Sequence, residues 1–463
     1  MEQKPKIINE FVRKLEQAIG EKYVYTDLER LEAYNFDGTE FRFLPDLVVE
    51  PETAEQISEL MKLASVYRLP VIPRGTGTGL SGGALAAEGG IILSSLRMNK
   101  IIEIDEINMI AVVQSGVINL HLHEAVEEKG LYYPPDPASY ETSSVGGNIA
   151  EDAGGPHCYK YGTTRDYVLG LKVVLPDGTI LSTGVKTRKG VVGYDLTNLI
   201  IGSEGTLAVV IEATLRLIPL PAKIITLLAL FPDINSLVSN LSGITRKRIV
   251  PAALEFLDPA CVEIIRDRIP IKIPKESSSL LIIDLDGEPE HLDRQIEIVG
   301  EVCLNNKALD VLIAEGSERR AGLWEVRRKL RDLIKEGNDF KRAEDVTVPI
   351  TQIPELIAGC EKICKKYRLD NFNFGHLGDG NVHVNLICQE KNNQIIHQAE
   401  KAAGEIFKLV LQLGGTISGE HGIGITKKSF LRLELSDQSI QLQREIKKIF
   451  DPLNILNPGK IFP

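Results

Sequence analysis

PRGTGTGLSGGALAAEGGIILSSL (residues 73–96) contains a formal G-x-G-x-x-G at Gly77, Gly79 and Gly82. A Rossmann dinucleotide unit requires that motif to open a helix of about ten residues or more. Only GALAAEGG (83–90) separates Gly82 from the apolar run IILSSL, so the stretch reads as strand, loop, strand. In that loop Thr76, Thr78 and Ser81 interleave with five glycines inside the nine residues from Gly75 to Gly83. Successive backbone N–H groups can curl around an anion there, with the hydroxyls and Arg74 adding contacts. A pyrophosphate nest is the expectation, and a plain flexible turn is the alternative.

Upstream, DLVVEPETAEQISELMKLASVYRLPVIPR (46–74) reads as a strand, a helix to about Tyr67 and a second strand. Thr53 caps the helix, with Gln56 three residues on. Downstream come strands at IILSSL and IAVVQSG (110–116), then a helix, NLHLHEAVEEKG, stopped by Gly130. His121 and His123 lie two apart on that helix, so they point to different sides and neither reads as a ligand. Residues 135–165 read as a long loop, dense in glycine and suited to binding. A meander follows, turning at Asp177-Gly178 and ending in the long strand 205–219, with PLPAK (219–223) as a linker. From about 224 to 420, strands (TLLALF, SLLIIDLD, DVLIAE) alternate with helices, giving an α+β half in which Trp324 is expected to pack.

The 463 residues exceed one hydrophobic core, and 43% hydrophobic with 25% charged residues is a soluble globular composition. A net charge of −11 speaks against nucleic acid and against electrostatic docking on anionic lipid. No apolar run reaches the ~20 residues of a membrane helix, and the charged N-terminus reads as an amphipathic helix rather than a signal peptide. The six cysteines (158, 261, 303, 360, 364, 388) are scattered without iron–sulfur spacing, which fits a reducing cytoplasm and supplies no electron wire.

A second stretch, FGHLGDGNVHVN (374–385), carries two of the eight histidines around a polar turn. Gly378, Asp379, Gly380 and Asn381 suit a four-residue hairpin loop, which would set Leu377 against Val382 and His376 against His383. Cross-strand Cβ atoms lie roughly 4.5–5.5 Å apart, a span two imidazoles can bridge with one metal ion. A pair of ordinary hairpin histidines is the alternative.

The glycine loop, PPDP (134–137), SVGGNIAEDAGG (144–155), YGTTRDYVLGLKVVLPDG (161–178) and GSEGTLAVVIEATLRLIP (202–219) together resemble the vanillyl-alcohol-oxidase type of FAD protein. NFGHLGDGNVHVN, GGTISGEHGIG (414–424) and LNPGKIFP (456–463) extend the resemblance to the C-terminus, toward the glycolate oxidase D-subunit and D-lactate dehydrogenase branch. It implies an α+β chain: a two-part FAD-binding domain plus an α+β substrate-binding cap domain with an antiparallel sheet. The expected division is a helical segment 1–44, FAD-binding domain 45–222, cap domain 223–425, and a C-terminal helix and tail 426–463 returning to the flavin. The resemblance assigns the pyrophosphate to Arg74, Gly75, Thr76, Gly77, Thr78, Gly79, Ser81 and Gly82. It assigns flavin and ribityl contacts to Asp136, Thr142, Gly146, Gly147, Gly154, Gly155 and Gly162. Glu204, Gly205 and Ile211 would meet the adenine half, with Asn457 closing over the flavin. Asp152 departs from the Asn common in relatives, and the first loop has no histidine, so FAD is expected to be noncovalent.

The resemblance further implies a divalent metal, Zn²⁺, Mn²⁺ or Fe²⁺, held by His376, His383 and Glu420, with His421 as general base. Metal coordination would lower the pKa of a substrate hydroxyl, and a neutral imidazole would take its proton. Arg327 matches the substrate-carboxylate cation of relatives; a solvated helix face is its plain alternative. Ala343 stands where some relatives carry lysine, with Lys341 and Arg342 nearby, which favours a small monocarboxylate. The leading expectation is an FAD-dependent dehydrogenase of glycolate or D-lactate. Its electrons would go to an iron–sulfur subunit, an electron-transfer flavoprotein or a quinone. The alternatives are a metal-dependent hydrolase, a non-redox flavoprotein and a D-2-hydroxyglutarate-type dehydrogenase. A cytoplasmic protein, peripheral to the inner membrane through a partner, is expected, with homo-oligomerisation left open.

Overall fold

In the computed structural model, which describes residues 9–268, 271–314 and 316–463, the chain forms two units. The first gathers the chain up to Gly154, Thr163–Leu220 and Glu420–Pro463; the second holds Gly155–Gly162 and Pro221–Gly419.

The first unit contains a four-stranded sheet in the order Val24–Tyr25, Leu47–Val49, Ile91–Ser94, Val71–Arg74. The last three strands run parallel, which requires a crossover. The helix Ala54–Tyr67 supplies one, starting where expected: Thr53 Oγ1 accepts from the Gln56 N–H at 3.3 Å, and Gln56 Oε1 accepts from the Glu52 N–H. Phe11, Leu15 and Ile19, four residues apart on the helix Asn9–Ile19, are buried in the same core cluster as that crossover helix. The glycine run joins two parallel strands with no helix between, as its length requires. A five-stranded antiparallel sheet completes the unit, in the order Ile101–Asp105, Ile110–Gln114, Val209–Arg216, Val168–Val174, Ile180–Gly184. Its 168–184 hairpin turns at Asp177 and Gly178, where Gly178 has φ +85°.

One expectation fails here. Residues 135–165 are not loop throughout but contain the helix Val145–Glu151, capped by Ser144, whose Oγ accepts from the Gly147 N–H at 3.2 Å. Gly146 and Gly147 weaken the helical signal by propensity, yet a Cβ at Gly146 would stand 2.6 Å from Ser115 Cβ. Close packing on the 110–116 segment demands the glycine and overrides its propensity.

The second unit is built on a seven-stranded antiparallel sheet. Its order is Asp310–Ile313, Lys223–Phe231, Ser279–Gly287, Ala253–Leu257, Asp370–His376, Asn381–Cys388, Phe340–Thr347. Central strands are buried on both faces, so KIITLLALF reads as a continuous apolar run rather than an alternation. Trp324, Leu323, Leu330 and Ile334 of the helix Ser317–Lys335 cluster with Leu228, Leu230, Leu280 and Ile282 on one face. The segment 155–162 is fastened to this unit by Asp286, whose carboxylate receives both Lys160 Nζ and the Tyr161 hydroxyl. Among the described residues no helix is long and apolar enough to cross a membrane.

The C-terminal tail returns to the first unit's parallel sheet: Val71 N–H donates to Ile455 O at 2.7 Å and Asn457 N–H to Val71 O at 2.8 Å. Lys460 is buried, its Nζ donating to Gly82 O at 2.9 Å and Leu85 O at 2.6 Å. Burial pulls its pKa down to about 8, against the opposing pull of Asp37 and Glu204. The unfolded chain therefore binds more protons than the folded one from about pH 8 to the ordinary lysine range near 10.4. Stability conferred through this residue rises with pH across that window. Thermal unfolding of wild type and Lys460→Met from pH 7 to 10 should show the wild type gaining relative to the variant. Parallel curves would refute the assignment.

Candidate functional site

The glycine loop is held from below. Arg74 is buried, and its Nη1 donates to Phe36 O at 2.7 Å and Ala84 O at 3.3 Å. A Cβ at Gly77, which has φ +76°, would stand 2.2 Å from Arg74 Nη2. The guanidinium thus buttresses the loop with its backbone contacts. A Cβ at Gly75 would strike Ser144 Oγ at 2.0 Å and one at Gly82 Ile425 Cγ1 at 2.4 Å, whereas one at Gly79 would meet nothing nearer than Glu151 Oε1 at 3.8 Å. Gly75, Gly77 and Gly82 are glycine for packing; Gly79 faces open space.

Glu204 (φ +53°) and Gly205 (φ +66°) form a left-handed pair. The Glu204 carboxylate accepts from the N–H groups of Ile423 and Gly424 at 2.8 and 2.7 Å. Asn457 Nδ2 donates to Glu204 O at 2.8 Å and Gly83 O at 3.0 Å, tying the tail to the glycine loop. Ile211 is wholly buried in the sheet core, and its carbonyl accepts from the Ser115 N–H. Asn119 Nδ2 donates to Pro135 O at 2.9 Å, with His123 Nε2 3.1 Å from the same oxygen, fixing the turn that carries Asp136. Thr142 is exposed, and Gly147, Gly154, Gly155 and Gly162 belong to the glycine-rich segments around 145–162.

Buried donors without a hydrogen-bond partner among the described residues include Thr76 Oγ1, Ser81 Oγ, Ser115 Oγ, Ser143 Oγ and Asn148 Nδ2 in these segments. Folded proteins bond nearly all such groups. A set of neutral hydroxyls and an amide left over beside a glycine loop fits a ligand rich in acceptor atoms, as FAD is.

In the second unit the histidine hairpin forms with a different register. Its loop is 377–380, and His376 pairs with Asn381 while Phe374 pairs with His383. The predicted His376–His383 pairing is two residues off. Because side chains alternate with period two, a two-residue slip keeps both imidazoles on the same face. They meet diagonally, ring centroids 5.3 Å apart at 87°. Gly380 (φ +74°) is required, since a Cβ there would lie 2.0 Å from Val348 O.

The same face carries two acids that sequence reading missed. Glu255, fully buried, pairs its two oxygens with His376 Nδ1 and Arg327 Nη2. Burial pushes its carboxyl up, but the Arg327 guanidinium, then His376 and His383, outweigh burial and hold it below the usual range. Arg327 is accordingly a buried residue, over the Phe374 ring at 4.5 Å, and not a solvated helix face. Its Nε is buried without a partner. Asp345, also fully buried, accepts from Asn381 Nδ2 at 2.6 Å and from the Gly419 N–H at 2.8 Å.

Gly419 is peptide-bonded to Glu420. Asp345, His383, Glu420 and His421 each offer one ligand atom, and these atoms lie within 4.8 Å of one another. Two imidazoles and two carboxylates are a donor set suited to a divalent transition metal. Of the three expected ligands, His383 and Glu420 belong to this group. His376 does not; its Nδ1 is turned to Glu255. His421, expected as the base, stands within it. Asp345 was legible only by alternation, two positions from Ala343 and Thr347 on one strand face.

Comparison with known proteins identifies the family. The family described as "FAD binding domain" matches residues 45–184, and "FAD linked oxidases, C-terminal domain" matches residues 220–461. The chain is 42% identical to glycolate oxidase subunit GlcD of Bacillus subtilis, over 93% of this chain and 92% of that one. It is 35% identical to a D-lactate dehydrogenase of Anaerostipes hadrus, covering 90% and 89%. It is 33% identical to a D-2-hydroxyglutarate dehydrogenase of Stutzerimonas stutzeri, covering 95% and 96%. In fold it is similar to substrate-bound p-cresol methylhydroxylase, with a TM-score of 0.81 over 98% of this chain and 96% of that one, at 18% identity.

The Glu255 arrangement has a measurable consequence. Glu255→Gln leaves Arg327 buried without a countercharge and should cost about 3–5 kcal/mol of stability. Denaturant unfolding of the purified variant checks this, and a loss under about 1 kcal/mol would show that the pair does not carry the sheet's polar face.

Proposed function

Because the chain belongs to the FAD-linked oxidases, we propose that it oxidises a small 2-hydroxy acid, glycolate or D-lactate, to the 2-oxo acid. It is an FAD-linked oxidoreductase related to glycolate oxidase, D-lactate and D-2-hydroxyglutarate dehydrogenases. The observation that carries the substrate reading is the grouping of Asp345, His383 and Glu420, three donors that an α-hydroxy carboxylate can complete by chelation, with His421 beside them.

When bound, FAD supplies the two-electron acceptor and a divalent ion the Lewis acidity that makes a hydroxyl proton removable at neutral pH. His383, Asp345 and Glu420 would hold the ion. His421 would take the hydroxyl proton, for which a neutral imidazole of ordinary pKa about 6.5 is suited. Arg327, its Nη2 committed to Glu255, has an unspent Nε–H that would grip the substrate carboxylate. His376, oriented through Nδ1 by Glu255, would present its other nitrogen toward the same face.

Ala343 and Lys341 share a strand face, but Lys341 Nζ donates to Arg331 O at 2.6 Å. That lysine is engaged, which supports a monocarboxylate over a dicarboxylate substrate. The chain would pass electrons to a partner, an iron–sulfur protein, an electron-transfer flavoprotein or a quinone, having only scattered thiols of its own.

The test is anaerobic. Glycolate or D-lactate should bleach the yellow protein; L-lactate and D-2-hydroxyglutarate should do so at least about tenfold more slowly, a difference of roughly 1.4 kcal/mol in barrier. Chelator treatment or His421→Ala should abolish bleaching while leaving the protein yellow. A yellow protein that no hydroxy acid bleaches would sink the proposal.

A further inference from the structure

Glu151 ends the helix Val145–Glu151, and its buried Oε2 has no hydrogen-bond partner among the described residues. Its Oε2 is shut from solvent, 2.5 Å from where a Cβ on Gly422 would stand, and Glu204 Oε1 is 3.0 Å from the same point. Its Oε1 lies 3.0 Å from a Cβ on Gly83 and 3.8 Å from one on Gly79, so it reaches between two glycines of the nucleotide loop. Glycine at 422 leaves room for both carboxyls, and glycine at 83 leaves room for Glu151 Oε1.

Two carboxyls so close do not both ionise in a medium of low dielectric. Burial pushes the Glu204 carboxyl up, but the N–H groups of Ile423 and Gly424, and then Lys460, pull against it. Glu151 has neither. Burial, then Glu204, then Asp37 push its carboxyl well above the ordinary range. The pair therefore sorts into an anion at Glu204 and an acid at Glu151, whose buried Oε2 has no hydrogen-bond partner among the described residues. An ionised carboxylate at this spot would repel the pyrophosphate that the loop is shaped to hold; a protonated one can donate to it.

We propose that Glu151 is an FAD-binding residue that acts as a carboxylic acid, donating its hydrogen to an acceptor atom of the cofactor beside Gly79 and Gly83. The inference concerns FAD alone and stands apart from the hydroxy-acid reading, since it is read without substrate or turnover.

Apo-protein is titrated with FAD by flavin fluorescence for wild type, Glu151→Gln and Glu151→Ala. The infrared carbonyl stretch of a protonated carboxyl is recorded for wild type as apo-protein and FAD-loaded, and for FAD-loaded Glu151→Gln. An amide keeps a neutral donor, so Glu151→Gln should hold FAD within about threefold of wild type while Glu151→Ala weakens it about tenfold or more. The protonated-carboxyl band lost in Glu151→Gln should shift in wild type when FAD is added to apo-protein, a readout that a merely structural role would leave unmoved. The proposal is overturned if Glu151→Ala binds FAD as tightly as wild type. It is equally overturned if Glu151→Gln falls as far as Glu151→Ala, or if the infrared band survives in Glu151→Gln. Should Glu151→Ala not fold, the infrared comparison and the Gln affinity still decide.

Discussion

A single buried carboxylate, Glu204, holds the first unit's functional segments in place. It sits at φ +53°, a conformation that costs a non-glycine residue of order 1–3 kcal/mol and persists only when its surroundings over-determine it. They do. Its carboxylate grips the turn at 423–424, two residues past the Glu420–His421 pair, and its carbonyl receives the Asn457 amide. Asn457 in turn reaches Gly83 O. One acid thus ties the nucleotide loop, the returning tail and the segment that follows Glu420 and His421.

The second unit solves a different problem: placing acids and imidazoles on a sheet whose strands are buried on both faces. Period-two alternation puts Glu255, His376, His383 and Asp345 on one face, against the helix that carries Arg327. Each buried charge there has a partner, as the desolvation cost demands. Glu255 satisfies one arginine and one histidine at once, and Asp345 takes the Asn381 amide and the Gly419 N–H. Moving any member of this face would strand a buried charge.

Much of this was legible in the residues. The glycine run could not be a Rossmann turn because eight residues do not make a crossover helix, and the cap at Thr53 and the turn at Asp177-Gly178 lie where their chemistry puts them. The hairpin register was not legible. A turn of Leu-Gly-Asp-Gly-Asn offers several closures of similar cost, and only Tyr159 against Gly378 and Val348 against Gly380 choose between them. The helix Val145–Glu151 hid behind its two glycines. Glu151, Glu255 and Asp345 hid for a common reason: an acid in a sequence reads as solvated surface until the distant segments that bury it are known. Arg327 was found, but its burial and its tie to Glu255 were not.

The departure at Asp152 shows how such a partner changes the meaning of a residue. Asp152 caps the helix Val145–Glu151 in the left-handed region. Its carboxylate accepts from Thr163 Oγ1 at 3.0 Å and from Arg165 N and Nε, both at 2.8 Å. An asparagine has one acceptor oxygen and no charge, so it could not receive three donors that include a guanidinium. Arg165 goes on to bond the carbonyls of Asn198 and Ile201, at the end of the helix Leu196–Ile200. The aspartate here therefore belongs with Arg165 as one scaffold pair. The carboxylate is turned to the frame, and its extra charge is answered within it.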